Sequence, residues 1–140
     1  MISIVVPTYR EADNLALLAE DVDAALSGPG YDYELLFIDD DSRDGSEEIC
    51  AELSARFPVR IVVRKGERGL ATAVIHGISM ASGDIVVVMD ADLSHPASAI
   101  PAMIARLQSG ESDFVLGSRY VDRTSLHVPR AEHEIALTAL

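Results

Sequence analysis

The sequence is short of basic side chains. Only 11 Lys and Arg stand against 23 Asp and Glu in 140 residues, so the formal net charge is −12. Proteins that bind nucleic acid, or that hold an anionic membrane by charge alone, need a basic face. The shortage therefore argues against both classes and favours small molecules or metal ions as partners.

Cysteine and long apolar runs are scarce as well. The single cysteine, Cys50, excludes an intrachain disulfide and a cysteine-based zinc site, and it suits a reducing compartment. No apolar run approaches the roughly 20 residues that span a bilayer. The N-terminal MISIVVPTYRE lacks the basic region and the length of a signal peptide. These features together predict a cytoplasmic protein.

The sequence does contain enough apolar material for one domain, since 49% of it is hydrophobic. Five runs rich in Val and Ile lack the polar alternation of half-exposed strands, which predicts strands covered on both faces: ISIVV, YELLFI, VRIVV, DIVVVM and DFVLG. Between them, apolar residues recur at helical spacing: Leu15, Leu18, Val22 and Leu26; Ile49, Leu53 and Phe57; Leu70, Val74 and Ile78; Ile100, Met103 and Leu107. The alternation predicts a three-layer α/β/α domain with a mostly parallel sheet.

Two aspartates directly follow the fourth predicted strand. In GDIVVVMDADLSHP, Asp90 and Asp92 come straight after a buried run. Carboxylates so close repel each other and are costly to desolvate unless a cation lies between them. The pair could be a solvated turn or a cap for the following helix. Its place at a strand's carboxyl end, where open α/β sheets bind ligands, favours a metal site.

Most other unusual residues also fall at the carboxyl ends of predicted strands, in PTYRE, DDDSRDGS, RKGERG and GSRY. An acidic crevice rimmed by Arg and Lys suits a metal-bound anionic ligand. A nicotinamide-binding domain would need G-x-G-x-x-G after its first strand, where this chain has PTYREA. A phosphoreceiver domain would place its aspartate doublet after the first strand rather than the second, so both classes are disfavoured.

The motifs VVPTYREADNL, FIDDDSRDGS, GLATAVIHGISMASGDIVVVMDADLSHP and GSRY resemble a known family. In this order they are similar to the inverting GT-A-fold glycosyltransferases of family 2, in the dolichyl- or polyprenyl-phosphate mannose synthase branch. The similarity covers residues 2 to 120, which predicts a nucleotide-sugar-binding GT-A core over residues 1–120. Residues 121–140 do not resemble the family, so the fold is expected to be a C-terminally truncated one. A short helix from Ala131 to Leu140 is predicted in this tail.

The resemblance implies a ligand for each motif. Asp90 and Asp92 would hold Mg²⁺ or Mn²⁺ on the diphosphate of a nucleotide sugar, with Ala91 small enough to let the donor approach the backbone. The implied nucleotide contacts are Pro7, Tyr9, Glu11, Ile38 and Asp40. Arg119 would bind phosphate of the donor or acceptor, and it and Asp92 are implied to act in the transfer itself. A lone Arg or an aspartate run could also be surface charge.

Several neighbouring residues are weaker candidates. Lys65 and Arg68 are interpreted as loop charges, and His95 as a residue that orients the metal loop. Arg10 stands where the family usually has Asn. Arg43 replaces a frequent Pro, so the shape of its loop is open.

The resemblance implies a metal-dependent transfer of a hexose, mannose from GDP-mannose first, to a polyprenyl or dolichyl phosphate with inversion. A family member that uses a UDP-sugar is one alternative. A truncated nucleotide-sugar-binding module without transferase activity is another, because the tail supplies no recognisable acceptor half. Self-association and peripheral contact with the inner face of the membrane are further expectations.

Overall fold

The structure, a computed structural model, describes residues 1–110, 113–117 and 135–139, the last five as backbone. Six strands form one sheet in this part of the chain: β1 (Ile2–Thr8), β2 (Tyr33–Asp39), β3 (Val59–Val63), β4 (Ile85–Val88), β5 (Phe114–Gly117) and β6 (Ile135–Ala139). Their order is β3-β2-β1-β4-β6-β5. Strands β3, β2, β1 and β4 pair in parallel, whereas β6 is antiparallel to both of its neighbours. The prediction of a mostly parallel sheet is confirmed.

Helices cover both faces of the sheet. They are α1 (Ala12–Ser27), α2 (Ser46–Leu53), α3 (Leu70–Met80) and α4 (Ile100–Gln108), with a 3₁₀ turn at Ala97–Ala99 before α4. Helix α3 packs on β1 and β2 from one side, and α1, α2 and α4 cover the other. None of these described helices is long and apolar enough to cross a membrane.

The two faces of each central strand feed separate cores. In β2, Leu35 and Phe37 join the cluster under α1 and α2, while Leu36 and Ile38 join the smaller cluster under α3. All four side chains are fully buried. Apolar residues on both faces explain why the strand lacks polar alternation. All five Val and Ile runs do contain strands, as predicted, but β5 is not covered on both faces, since Phe114 is 53% and Leu116 is 41% exposed.

Helix α3 packs on the sheet through a face that only partly matches the predicted one, because Ile78 contacts the core whereas Leu70 does not. Leu70 is 65% exposed and Ile75 is 66% exposed, whereas Ala73 and Gly77 are buried. A Cβ added to Gly77 would lie 2.3 Å from Val5 Cγ1 and 2.9 Å from Ile38 Cγ1. The helix therefore lies against the sheet by its small residues, and the prediction that Leu70 belongs to the buried face is wrong.

The end of the chain corrects a second prediction. Residues Ile135–Ala139 form strand β6, which lies between β4 and β5, instead of the helix predicted from Ala131 to Leu140. Its segment IALTA carries Ile and Thr, which strands favour, but also two Ala, which they do not, so its composition alone does not determine a strand. The two hydrogen-bonding edges that β4 and β5 offer decide its conformation.

Cys50 is predicted to be unreactive in the folded chain. Its side chain is buried at 2% exposure, and burial, followed by the charge of Asp39, raises the pKa of its thiol to about 12. The thiolate is the reactive form, so alkylation of native protein at mildly alkaline pH should be at least about 100-fold slower than in guanidinium chloride. Equal rates in the two conditions would contradict this burial.

The same shift gives a stability prediction of definite sign. Because the folded state keeps the thiol neutral, the unfolded state loses its proton first as the pH rises through about 8.5. The contribution of Cys50 to stability should therefore be complete below that pH and decline above it.

Candidate functional site

The carboxyl ends of the parallel strands bring the predicted motifs to one edge of the sheet. Strand β1 lies between β2 and β4, so Tyr9, Asp40 and Asp90 each follow a neighbouring strand. The loop after β3 begins with Arg64, whose N–H donates to the carbonyl of Asp39 at 2.7 Å. Residues far apart in the sequence therefore form one polar surface, as expected for a parallel α/β sheet.

Asp39 holds the loop after β2 in shape. Its carboxylate accepts a hydrogen bond from Thr8 Oγ1 at 3.2 Å, another from the Ser42 N–H at 2.8 Å, and a third from the Ser42 hydroxyl. Asp39 is 2% exposed. Since three protein donors occupy it below the surface, this aspartate supports the site and leaves ligand contacts to its neighbours.

Asp40 is paired with a buried arginine. Its Oδ1 accepts hydrogen bonds from Nε and Nη2 of Arg64, the former at 2.8 Å, and its Oδ2 accepts the Gly69 N–H at 2.8 Å. The two side chains are 9% and 5% exposed. The ion pair offsets the cost of burying both charges. Arg64 was not among the residues predicted from the sequence, and only its position after a strand could have indicated it.

Tyr9 is an exposed aromatic ring between two cations. The guanidinium carbon of Arg68 lies 4.6 Å from the ring centroid, and that of Arg10 lies 5.2 Å away. Both distances are within the range of cation–π attraction. Arg68, interpreted from the sequence as a loop charge, in fact contacts a predicted site residue.

Arg43, which stands where the family often has Pro, forms specific contacts within the loop after β2. Arg43 hydrogen-bonds both carboxylate oxygens of Asp41, and this contact lowers the pKa of that carboxyl. Both residues have positive φ angles, 53° and 56°. Asp44 accepts N–H groups of Ser46 and Ala12 and so ties the starts of α2 and α1 together.

A cavity of about 140 Å³ lies beside Asp40. Its lining includes three predicted residues, and the full set is Pro7, Thr8, Tyr9, Asp40, Leu70 and Ala73. Ile38 is fully buried under α3 in the same cluster as Ala73, which forms part of the cavity floor, so the Ile38 side chain supports the cavity from below. Glu11 lies at the start of α1, where it accepts a hydrogen bond from Asn14 Nδ2 at 2.7 Å. The structure thus gathers Pro7, Tyr9 and Asp40 at one cavity.

The loop after β4 presents Asp90 and Asp92 on a tight turn. The Asp90 N–H donates to His95 Nδ1 at 3.2 Å, and the Ser94 N–H donates to Asp92 Oδ1 at 2.9 Å. Leu93 has a positive φ of 61°, and Ala91 is buried at 3% exposure. His95, itself 5% exposed, fixes the backbone of this turn from inside.

The donor set fits a hard divalent cation. The side chain of Asp90 is 33% exposed and Asp92 is exposed. Among the described residues no group of three or more His, Cys, Asp or Glu side chains lies close enough to form a complete metal cage. Mg²⁺ and similar cations are commonly bound by one or two carboxylates plus phosphate oxygens and water. Two carboxylates at a ligand-binding edge match that pattern.

Arg119 lies outside the described residues, as do all residues from 118 to 134. Its predicted contact with phosphate and the predicted boundary at residue 120 therefore stay predictions. The cationic side chains described at this edge are those of Arg10, Arg43, Arg64, Lys65 and Arg68.

Comparisons with known proteins agree with this geometry. The profile of the family described as "Glycosyl transferase family 2" matches residues 3–135. A dolichol-phosphate mannosyltransferase of Pyrococcus furiosus is 48% identical over 120 residues, which are 86% of this chain and 33% of that protein. One of Mycosarcoma maydis is 41% identical over 123 residues, 84% of this chain and 42% of that protein. The chain thus spans less than half the length of these relatives.

A solved structure shares the fold. The mannosyltransferase of Pyrobaculum calidifontis in complex with GDP-Man and Mn²⁺ superposes with a TM-score of 0.73 at 25% identity, covering 99% of this chain and 44% of that one. The GT-A architecture expected from the motifs is thereby confirmed.

Proposed function

Because this chain belongs to glycosyl transferase family 2, we propose that it binds a nucleotide sugar, GDP-mannose first, and transfers the mannose to a dolichyl or polyprenyl phosphate with inversion. One observation carries the proposal. Asp40 with its cavity, and the pair Asp90 and Asp92, follow strands on either side of β1 at the same edge of the sheet. A base site and a diphosphate site must be neighbours in this way to hold one nucleotide.

The base and ribose are assigned to the ends of β1 and β2. A carboxylate such as Asp40 accepts the N–H groups of a base edge, and Tyr9 offers an aromatic face beside it. Pro7 lines the same cavity, and Glu11 would accept a ribose hydroxyl hydrogen bond at the start of α1. Ile38 contributes through the backbone and through the floor of the cavity, since its side chain is buried.

The diphosphate is assigned to the loop after β4. Asp90 and Asp92 would hold Mn²⁺ or Mg²⁺, and the structural relative with GDP-Man and Mn²⁺ supports this choice. When bound, the cation stabilises the negative charge that develops on a leaving nucleoside diphosphate. Ala91, buried and small, leaves the backbone between the two carboxylates open to the donor.

The acceptor chemistry requires no general base. A lipid monophosphate already carries an anionic oxygen, which attacks the anomeric carbon directly. Attack from the face opposite the leaving diphosphate inverts the configuration of the sugar. The protein therefore acts by positioning the two reactants and by stabilising charge.

A transfer assay tests the proposal and separates it from the binding-module alternative. The chain is mixed with labelled GDP-mannose, Mn²⁺ and a short polyprenyl phosphate in detergent, and the lipid product is extracted and its anomeric configuration determined. Inverted mannosyl lipid phosphate supports the transferase. Bound GDP-mannose without product supports a nucleotide-sugar-binding module. If the chain binds UDP-glucose and does not bind GDP-mannose, the donor is a UDP-sugar. If the chain binds neither nucleotide sugar, the proposal is contradicted.

Arg119→Ala is expected to weaken binding of GDP much more than binding of guanosine. If Arg119 meets a phosphate, the loss for the diphosphate should be about 1.5–3 kcal/mol, the range for hydrogen bonds to charged groups. Calorimetry with both ligands measures the difference. Equal losses for the two ligands would contradict a phosphate contact.

A further inference from the structure

One nearly buried side chain, that of Arg64, links three segments of the site without lining the 140 Å³ cavity. Arg64 contacts Asp40 after β2, the carbonyl of Gly69 at 3.2 Å, and Thr72 Oγ1 in the first turn of α3 at 3.0 Å. Its side chain is 5% exposed and is absent from the lining of the 140 Å³ cavity, although it borders a second cavity of about 400 Å³ with Asp41 and Arg68. Glu67, 3.6 Å from Nη1, lies in the same loop.

The contacts of Arg64 determine how Asp40 faces the cavity. Two N–H groups of the guanidinium occupy Oδ1 of Asp40, which fixes the carboxylate plane. Oδ2 accepts one N–H from Gly69, and a carboxylate oxygen has room for a second donor. Asp40 also lines the 140 Å³ cavity with Pro7 and Tyr9. Of the two carboxylate oxygens, Oδ2 therefore has more capacity left to accept a hydrogen bond from a ligand.

The same contacts place the loop beside the cavity. Gly69, tied to Asp40 and accepting from Arg64, directly follows Arg68, whose guanidinium stacks on Tyr9. Gly69 has φ of 144°, a conformation that other residues rarely adopt. Leu70, the next residue, forms part of the cavity wall. Arg64 thus helps to position three parts of the cavity: the acceptor Asp40, the ring of Tyr9 through Arg68, and the wall at Leu70.

We infer that Arg64 is a positioning residue that makes this site selective for nucleobases with a ring N–H donor, namely uracil or guanine. The inference rests on the proposed function and deepens it. Cytosine and adenine present a ring nitrogen acceptor where uracil and guanine present N–H, so they would face the fixed Oδ2 with two lone pairs opposed. Without Arg64, only the Gly69 N–H holds the carboxylate, so its orientation is less fixed and this discrimination falls.

The test measures selectivity, which a merely structural role would not change. Calorimetry with Mn²⁺ compares UDP with CDP and GDP with ADP. The wild-type chain should prefer the N–H member of at least one pair by about 10-fold or more, as expected for a hydrogen bond to a charged group. Arg64→Met should bring that ratio close to one, and Arg64→Lys, which keeps the charge without the planar fork, should restore it only in part.

Two further variants complete the design. Arg60→Met is the matched control, because Arg60 lies on β3, four residues before Arg64, is exposed, and contacts Met80 and Glu34 away from the site. The ratio of its affinities for the two nucleotides of each pair should equal that of the wild type. Thr72→Val removes one acceptor of Arg64 and leaves the Asp40 pair intact, so it should fold and lower the ratio about 3-fold.

Each outcome decides a definite claim. Unchanged selectivity in folded Arg64→Met overturns the inference while the proposed function stands. If Arg64→Met does not fold, an unchanged ratio in both Thr72→Val and Arg64→Lys overturns it in the same way. If the wild type binds none of the four nucleotides, the proposed function fails and the inference fails with it.

Discussion

Asp92→Asn should lower the affinity for GDP-mannose in the presence of Mn²⁺ by about 100-fold or more. The substitution removes one of the two carboxylates proposed to hold the cation, and loss even of groups that only support metal ligands costs about 10–100-fold. The amide keeps an oxygen that can accept the Ser94 N–H, so the turn itself should persist. Calorimetry with Mn²⁺ and with EDTA measures the change, and the residual binding should no longer depend on metal.

Asp84→Asn is the matched control. Asp84 precedes β4 at the opposite edge of the sheet, its side chain is 91% exposed, and it pairs with the N-terminal amine. The same charge is removed, so a loss caused only by altered net charge would appear in both variants. A wild-type affinity for Asp92→Asn would show that the cation is held elsewhere.

Gly77→Ala is expected to lower the free energy of unfolding by about 3 kcal/mol. The new methyl group would lie 2.3 Å from Val5 Cγ1 and 2.9 Å from Ile38 Cγ1, both on central strands that cannot retreat. Overpacking of a core costs about 1–3 kcal/mol, occasionally more, and this overlap is severe. Relief requires α3 to move off the sheet. Chemical denaturation followed by circular dichroism measures the loss.

A second substitution tests the stated cause. Val5→Ala removes the atom that the new methyl meets, so the pair Gly77→Ala and Val5→Ala should lose less stability than the sum of the single changes. Gly28→Ala serves as the control, because Gly28 has helical φ and ψ angles at the end of α1 and its nearest neighbour would lie 3.4 Å from the new methyl. A Gly77→Ala chain within about 0.5 kcal/mol of wild type would contradict the close approach of α3.

Local signals made the sheet, and the position of Asp90 and Asp92 directly after β4, predictable. Strands buried on both faces show as uninterrupted Val and Ile runs, and DIVVVMD places Asp90 at the end of such a run. The parallel topology then brings strand ends together without further information. Pro101, in the first turn of α4, likewise follows a local rule for the start of a helix.

The features that escaped prediction depend on distant contacts. The buried face of α3 is set by Gly77 against Val5, so counting large apolar residues placed Ile78 correctly and Leu70 wrongly. Strand β6 forms because β4 and β5 leave edges to be paired, which the tail's own sequence does not reveal. Arg64 reads as one more loop charge until Asp40, 24 positions earlier, is placed against it.

The paramagnetism of Mn²⁺ provides the most direct test of the central claim, which is that a metal-bound nucleotide sugar occupies the carboxyl edge of the sheet. Amide spectra of the labelled chain are recorded with GDP-mannose and Mg²⁺, and Mn²⁺ is then added in small steps. The amide signals of Asp90, Ala91 and Asp92 should broaden first, and that of Gly69 should shift with the nucleotide. Signals of Asp32 and Asp84, at the opposite edge, should stay sharp. Earliest broadening at that opposite edge, or equal broadening everywhere, would contradict the account.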